Sequence, residues 1–185
     1  MTRVVIVGDG PAGLSAALFL AKNDVDTVVF GQDETAMHHA HLYNYLGIED
    51  LGGTEFQQIA RRQVEALGAD LRDAEVTGIT RTEGEGFIVT TTEYDRVTAD
   101  HVILAGGKAA QSLAASLGAE KDGGHVPVDT ENRTEVEGLY AVGRVARPER
   151  SQAIISAGAG AVAALDILSK AAGKDVHDWD TPPED

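Results

Sequence analysis

Four apolar residues, Val4-Val5-Ile6-Val7, run directly into Gly8-Asp9-Gly10-Pro11-Ala12-Gly13, and this junction limits what the chain can fold into more than any other stretch. It reads as a buried strand that turns sharply into a helix. Gly8 permits the tight turn, Gly10 lets a pyrophosphate approach without an intervening Cβ, and Gly13 lets the helix lie close to the strand. Phosphates would then rest on the unpaired amides of the helix N-terminus. With 21 glycines among 185 residues, the pattern by itself also fits a plain strand-turn-helix corner. The strand before it and the helix after it supply the context that favours the nucleotide reading.

Leu14, Ala17, Leu18 and Ala21 follow at helical spacing and predict an apolar face against a sheet. Asn23-Asp24 ends this helix, and Val25 to Phe30 reads as a second buried strand, parallel to the first through a right-handed connection. Dinucleotide folds often place an acid at the end of that strand, about 20 residues past the glycines, to accept a ribose hydroxyl. Here the position is Gly31, followed by Gln32, Asp33 and Glu34, which either supply a substitute acceptor or form a solvated acidic turn. The turn contains no base, so a 2′-phosphate, and with it NADP, is disfavoured as the ligand of these glycines.

The 43% hydrophobic content agrees with a globular chain. No run approaches the roughly 20 apolar residues of a membrane span, and Met1-Thr2-Arg3 leads straight into a strand, so the chain is expected in the cytoplasm and off the membrane. It has no cysteine, which removes disulfides, thiolate nucleophiles and redox dithiols from these 185 residues. Thirty acidic against fifteen basic side chains give a formal charge of -15, a field that repels nucleic acid and anionic lipid. Acidic residues spread along the whole chain are the composition expected of a salt-loving organism such as a halophilic archaeon.

Between residues 37 and 47, His38, His39 and His41 gather with Tyr43 and Tyr45. They read either as a metal or catalytic cluster or as a loop along a pocket wall; no carboxylate is placed to complete a metal shell, and no metal is expected. Thr54 opens a helix with Phe56, Ile59, Ala60, Val64 and Leu67 on one face and Arg61, Arg62 and Glu65 on an outer polar face, stopped by Gly68. Val76 to Thr80, Gly86 to Thr92 and Arg96 to Ala105 predict a small antiparallel meander ending in a buried strand, with turns at Glu83-Gly84-Glu85 and Glu93-Tyr94-Asp95. Gly106-Gly107 after that strand again suggests close backbone approach to a ligand. A short helix over Ala109 to Gly118, a turn at Lys121 to Gly124, and a strand before Gly143 follow. Gln152 to Ala172 is a long Ala- and Ile-rich helix, where Gly158 and Gly160 imply packing against a ligand or another backbone. The expected organisation is one domain over 1–172 and a loose acidic tail over 173–185.

Taken together, Gly8 to Gly13, Tyr43-Asn44-Tyr45-Leu46-Gly47, Ile103-Leu104-Ala105-Gly106-Gly107, Gly138 to Gly143 and Ser151-Gln152-Ala153-Ile154-Ile155-Ser156-Ala157-Gly158 resemble the FAD domain of thioredoxin reductase-like flavoproteins. The order and approximate spacing match along nearly the whole chain. The resemblance implies an α/β, Rossmann-like FAD-binding domain in three layers, with a central parallel sheet plus a small antiparallel meander. In that family an NADPH domain with a second glycine fingerprint and a Cys-x-x-Cys pair splits the FAD domain; here the halves join between Gly107 and Val126.

By resemblance, Gly8, Asp9, Gly10, Pro11, Ala12 and Gly13 hold the FAD pyrophosphate, Gly31 and Gln32 lie at the ribose position, Asn44 near the flavin and Val76 near the adenine. Ala105 and Gly106 pass close to the cofactor, and Gly143 and Arg144 approach the ribityl chain. Gln152, Ala153 and Ile154 bring a helix N-terminus to the isoalloxazine, where reduced flavin carries negative charge. Two departures stand out: Gly31 replaces the acid, and Arg144 replaces an Asp that accepts a ribityl hydroxyl. A guanidinium cannot accept a hydrogen bond, so Arg144 pairs a phosphate, another anion or an ordinary carboxylate.

These readings point to an FAD-binding oxidoreductase whose electrons come from a redox partner protein or a docking NAD(P)H, and the resemblance implies a homodimer. The alternative is a non-catalytic dinucleotide-binding sensor or interaction module; a plain NAD-dependent dehydrogenase does not explain the stretch from Gln152 to Gly160. No residue qualifies as a catalytic acid or base, His41 coming nearest. The charge makes one prediction. Salt screens self-repulsion, so the melting temperature should fall as salt is removed, and a melting temperature indifferent to salt contradicts the halophilic reading.

Overall fold

The computed structural model describes residues 2–84, 86–93 and 96–181. Glu85, Tyr94 and Asp95 of the two expected meander turns, and residues 182–185 of the expected tail, lie outside the described residues. Val4, Val5 and Ile6 are completely buried because β1 (Arg3–Val7) lies inside a sheet covered on both faces. It pairs in parallel with β2 (Asp26–Gly31) on one side and β9 (His101–Leu104) on the other. With β5 (Asp70–Asp73) beyond β2 and β10 (Leu139–Ala141) beyond β9, the order is β10-β9-β1-β2-β5, all parallel.

Side-chain alternation along these strands builds two cores. Val4, Ile6, Val29 and Ile103 face a layer made by α1 (Pro11–Lys22), α2 (Gly53–Ala66) and α4 (Ala153–Ala172). Val5, Val28, Phe30, Val102 and Leu104 face α3 (Lys108–Ser116) and the antiparallel meander of β6 (Val76–Arg81), β7 (Phe87–Thr91) and β8 (Val97–Ala99). The three expected layers are therefore present. A two-stranded ribbon, β3 (His41–Leu42) with β4 (Leu51–Gly52), leads into α2.

Several expectations are corrected. The stretch from Arg96 to Ala105 is two strands, not one, because the chain turns at Asp100. There the Asp100 amide donates to Arg3 O (2.9 Å) and Oδ2 accepts from Arg3 N (2.7 Å), so β8 closes the meander while β9 enters the parallel sheet. Helix α2 begins at Gly53, one residue before Thr54, since its first turn packs on a 3-10 turn, Ala36–His39. A Cβ at Gly53 would overlap Met37 O and stand 2.8 Å from Ala40 O. Leu67 is exposed, whereas Arg61, expected outside, turns inward to Asp9.

The membrane expectation also needs amending, because α4 is long and apolar enough, with mean hydropathy 1.5, to cross a bilayer by length and composition. In this fold its apolar face packs on α1 and the sheet, and its Asp166 is bound on that side. Asp166 Oδ2 accepts from Tyr140 Oη (2.7 Å) and from Arg133 Nε (2.8 Å), tying α4 to β10 and the loop before it. Burial pushes the Asp166 carboxyl up, but the bonds from Arg133 and Tyr140 outweigh it and the net shift is downward. Past α4, Val176 N donates to Ser169 Oγ (2.9 Å), and Lys22 reaches Asp178 (3.1 Å) and Asp180 (2.5 Å).

Only one of the two glycines in α4 has a packing reason. A Cβ at Gly160 would overlap Ala12 O and stand 3.0 Å from Ala16 N, whereas nothing lies within 4 Å of one at Gly158. Gly160→Ala should therefore destabilise by about 1–3 kcal/mol through overpacking. Gly158→Ala should stabilise by about 0.5–1 kcal/mol through helix propensity. Urea unfolding of the two variants checks this; equal effects would contradict the packing.

Candidate functional site

In open parallel sheets the ligand crevice lies beyond the C-terminal strand ends. At that edge Gly8 takes φ +111°, its amide donates to Phe30 O (2.8 Å), and a Cβ there would come within 3.0 Å of Gly106 N. The turns after β1 and β9 thus touch backbone to backbone. Gly143, at φ +69°, brings the turn after β10 against Ala12, where a Cβ would meet the Ala12 Cβ at 3.0 Å. The result is an open cleft of about 290 Å³ whose wall includes Gly8 to Ala12, Ala105 to Gly107, Gly143 and Arg144. Glu34, Thr35 and Met37 close one side, and Ser151, Ala153 and Ser156 the other.

The electrostatics of this cleft run against the charge of the whole chain. Gly10, Gly107 and Gln152 cap α1, α3 and α4 without a side-chain bond to the first amides, and all three helix starts stand at the cleft. Uncapped N-terminal amides and the helix dipoles favour an anion. Arg144 is exposed on the wall and forms no ion pair among the described residues, which leaves its guanidinium for a ligand anion.

Asp9 is only 5% exposed and is the most heavily bonded residue of the site. Its Oδ2 accepts from Asp33 N (3.1 Å) and is ion-paired with Arg61, which also reaches Asp73 (3.2 Å). Fully buried Gln57 donates through Nε2 to Asp9 O (2.6 Å). Burial pushes the Asp9 carboxyl up, while the Arg61 charge and the Asp33 amide pull against that shift.

Among the expected site residues, Gly8, Asp9, Gly10, Pro11, Ala12, Ala105, Gly106, Gly143, Arg144 and Ala153 line the cleft together. Gly13 sits one layer behind, where a Cβ would overlap Gly8 O. Gly31 lies under the Asp9 carboxylate. Asn44 and Gln152 join side chain to side chain (3.2 Å) without lining the cleft, and the exposed Gln32 and Ile154 do not line it either. Val76 is buried in the core at the start of β6.

The histidine cluster resolves into loop contacts. His38 is bonded to Thr54 Oγ1 (3.0 Å) and Asp33 O (2.8 Å). His41 stacks on Tyr43 (4.4 Å) and pairs with Asp50 (2.5 Å), away from the cleft lining. No metal-binding group of three or more His, Cys, Asp or Glu occurs among the described residues. Sequence reasoning missed Gln57 and Arg61, although their signal was present: with Val64 they fall at i, i+4 and i+7, polar residues on the buried stripe of α2.

A strand-glycine-helix turn, a parallel sheet capped by a meander, and a cleft walled by backbone amides define a dinucleotide-binding domain of the flavoprotein type. The sequence profile of the pyridine nucleotide-disulphide oxidoreductases matches residues 2–51 and 47–161, and the chain belongs to that family, which is FAD-binding. A thioredoxin reductase from Spironucleus barkhanus is 34% identical over 113 residues, 60% of this chain and 37% of that protein. A dihydrolipoyl dehydrogenase from Haloferax volcanii is 28% identical over 176 residues, 91% of this chain and 34% of that protein. The chain thus spans about a third of the length of these curated relatives. The atypical thioredoxin reductase of Desulfovibrio vulgaris Hildenborough superposes with a TM-score of 0.83 at 21% identity, over 91% of this chain and 97% of that one. A thioredoxin reductase from Gloeobacter violaceus superposes at 0.84 with 17% identity, over 99% and 100% of the two chains. Both likenesses establish the fold.

Proposed function

We propose that this chain carries FAD in the cleft and passes electrons through it, taking them from a redox partner protein or a docking NAD(P)H. The observation that carries this reading is the convergence of three uncapped helix N-termini and Arg144 on a glycine-walled cleft in a chain of charge -15. A pyrophosphate is the anion such a site suits. Gly10 keeps the wall open, since a Cβ there would already stand 3.3 Å from Thr35 Oγ1. Bound flavin supplies one- and two-electron redox chemistry.

The residues of the chain bind and orient. Gly8 to Ala12 present amides to the phosphates, Arg144 adds a cation beside them, and the start of α4 places a dipole where reduced flavin is negative. Dithiol chemistry is not assigned to these 185 residues, which contain no cysteine. A homodimer is supported by the exposed apolar residues Tyr43, Leu46, Ile154 and Ile155, on two segments that the Asn44–Gln152 bond joins.

Arg144 also motivates a second reading, a non-catalytic dinucleotide-binding module, because it cannot accept the ribityl bond that the resemblance puts there. Anaerobic mixing decides between them. The FAD-loaded protein should lose its visible flavin absorbance when given NADH, NADPH or a reduced one-electron carrier protein. A flavin that none of these reduces would overturn the electron-transfer reading in favour of the second.

A further inference from the structure

The end of β2 is the usual source of the ribose-binding acid, yet in this fold no side chain fits there. A Cβ built on Gly31 would stand 2.5 Å from both Cβ and Oδ1 of Asp9, and closer still to its Cγ. The carboxylate of the fingerprint residue has taken the place of the strand-end side chain, and Gly31 is the vacancy that admits it. Asp9 lines the cleft beside Glu34 and Thr35, which follow β2. Its two oxygens are not equivalent: Oδ2 is held by Arg61 and by Asp33 N, the residue's own amide also bonds the carboxylate, and no other described residue donates to Oδ1.

We propose that Asp9, supplied by the glycine turn and held by Arg61, accepts the adenosine ribose hydroxyls of the bound dinucleotide in place of an acid at the end of β2. The proposal rests on the reading that the cleft takes FAD. It gives Arg61 a role that a surface helix does not need: its charge offsets the carboxylate, which otherwise would repel the pyrophosphate bound by the neighbouring amides. Arg61 is itself committed to Asp9 and Asp73, so a 2′-phosphate would meet the carboxylate rather than a free base. The site is thereby selective for an unphosphorylated ribose. Gln57, fixed to Asp9 O, holds the residue in register, which makes Gln57 and Arg61 positioning residues.

Calorimetric titration with ADP and 2′-deoxy-ADP tests the ribose contact without requiring flavin, and quenching of flavin fluorescence follows FAD and FMN. Wild-type protein should bind ADP roughly tenfold more tightly than 2′-deoxy-ADP, the worth of a hydrogen bond to a charged acceptor. Asp9→Ala should bind the two alike, and should weaken FAD while leaving FMN, which lacks adenosine, unchanged. The double variant Asp9→Ala/Gly31→Glu, with the space cleared and the acid returned to the strand end, should regain the preference for ADP. If Asp9 only braces the turn, Asp9→Ala will weaken FAD and FMN equally and keep whatever preference the wild type has, and the proposal falls. Wild-type protein that binds ADP without preference overturns it as well, even where FAD binds. Protein that binds ADP with the preference but no FAD would overturn the flavin reading and leave the ribose contact standing; protein that binds neither overturns both.

Discussion

Backbone-to-backbone contact around α1 is the constraint on which the rest of the structure depends. Around α1, Gly8 excludes a Cβ by contact with the backbone of Ala105 and Gly106, Gly13 by contact with Gly8, and Gly160 by contact with Ala12. They clamp the first turn of α1 between the β1 and β9 turns and the middle of α4. Close packing makes such a clamp unforgiving, since interiors respond to added volume by shifting backbone. Because α1 cannot move away, its free amides stay aimed at the point where the ends of β1, β9 and β10 converge. The Asp166 network, with Tyr140 and Arg133, fixes α4 to β10, so the Gly143 turn is carried on the same rigid body.

The second consequence is electrostatic. A chain with twice as many acids as bases is a poor host for an anion unless its charges are arranged locally. Here the cleft draws on helix termini, which carry partial positive charge whatever the side-chain composition, and on Arg144. The one buried carboxylate on the wall, Asp9, is matched by Arg61 from α2. Glu34 remains as an exposed acid at the rim. The net acidity thus belongs to the outer surface, while the ligand-facing wall is neutral to positive.

Much of this was legible in the sequence because it is written in short-range pattern. The apolar run before Gly8, the 3.6-residue spacing of Leu14, Ala17 and Ala21, and the paired glycines after Leu104 each specify a local geometry, and the parallel sheet follows from their order. The break at Asp100 was hidden because an alternating stretch, Val97 to Ala99, leads into an apolar run, Val102 to Leu104, with no Gly or Pro between them; the contact with Arg3, 97 residues away, divides the strand. Gln57 and Arg61 were hidden for the opposite reason. Polar residues on a helix default to the solvent side, and their burial depends on Asp9, a partner from another segment. Gly31 looked like a missing acid, whereas the structure makes it the space that Asp9 fills. His38 and His41, prominent in the sequence, are spent on local bonds to Thr54, Asp33 and Asp50.

The central claim is that a cleft assembled from backbone amides in an acidic chain holds a flavin dinucleotide. The visible absorbance of the protein purified in high salt, followed by release of its ligand and determination of the ligand's mass, tests that claim most directly. The protein should be yellow and release FAD, or be colourless and take up added FAD stoichiometrically. A colourless protein that fails to take up added FAD would contradict it.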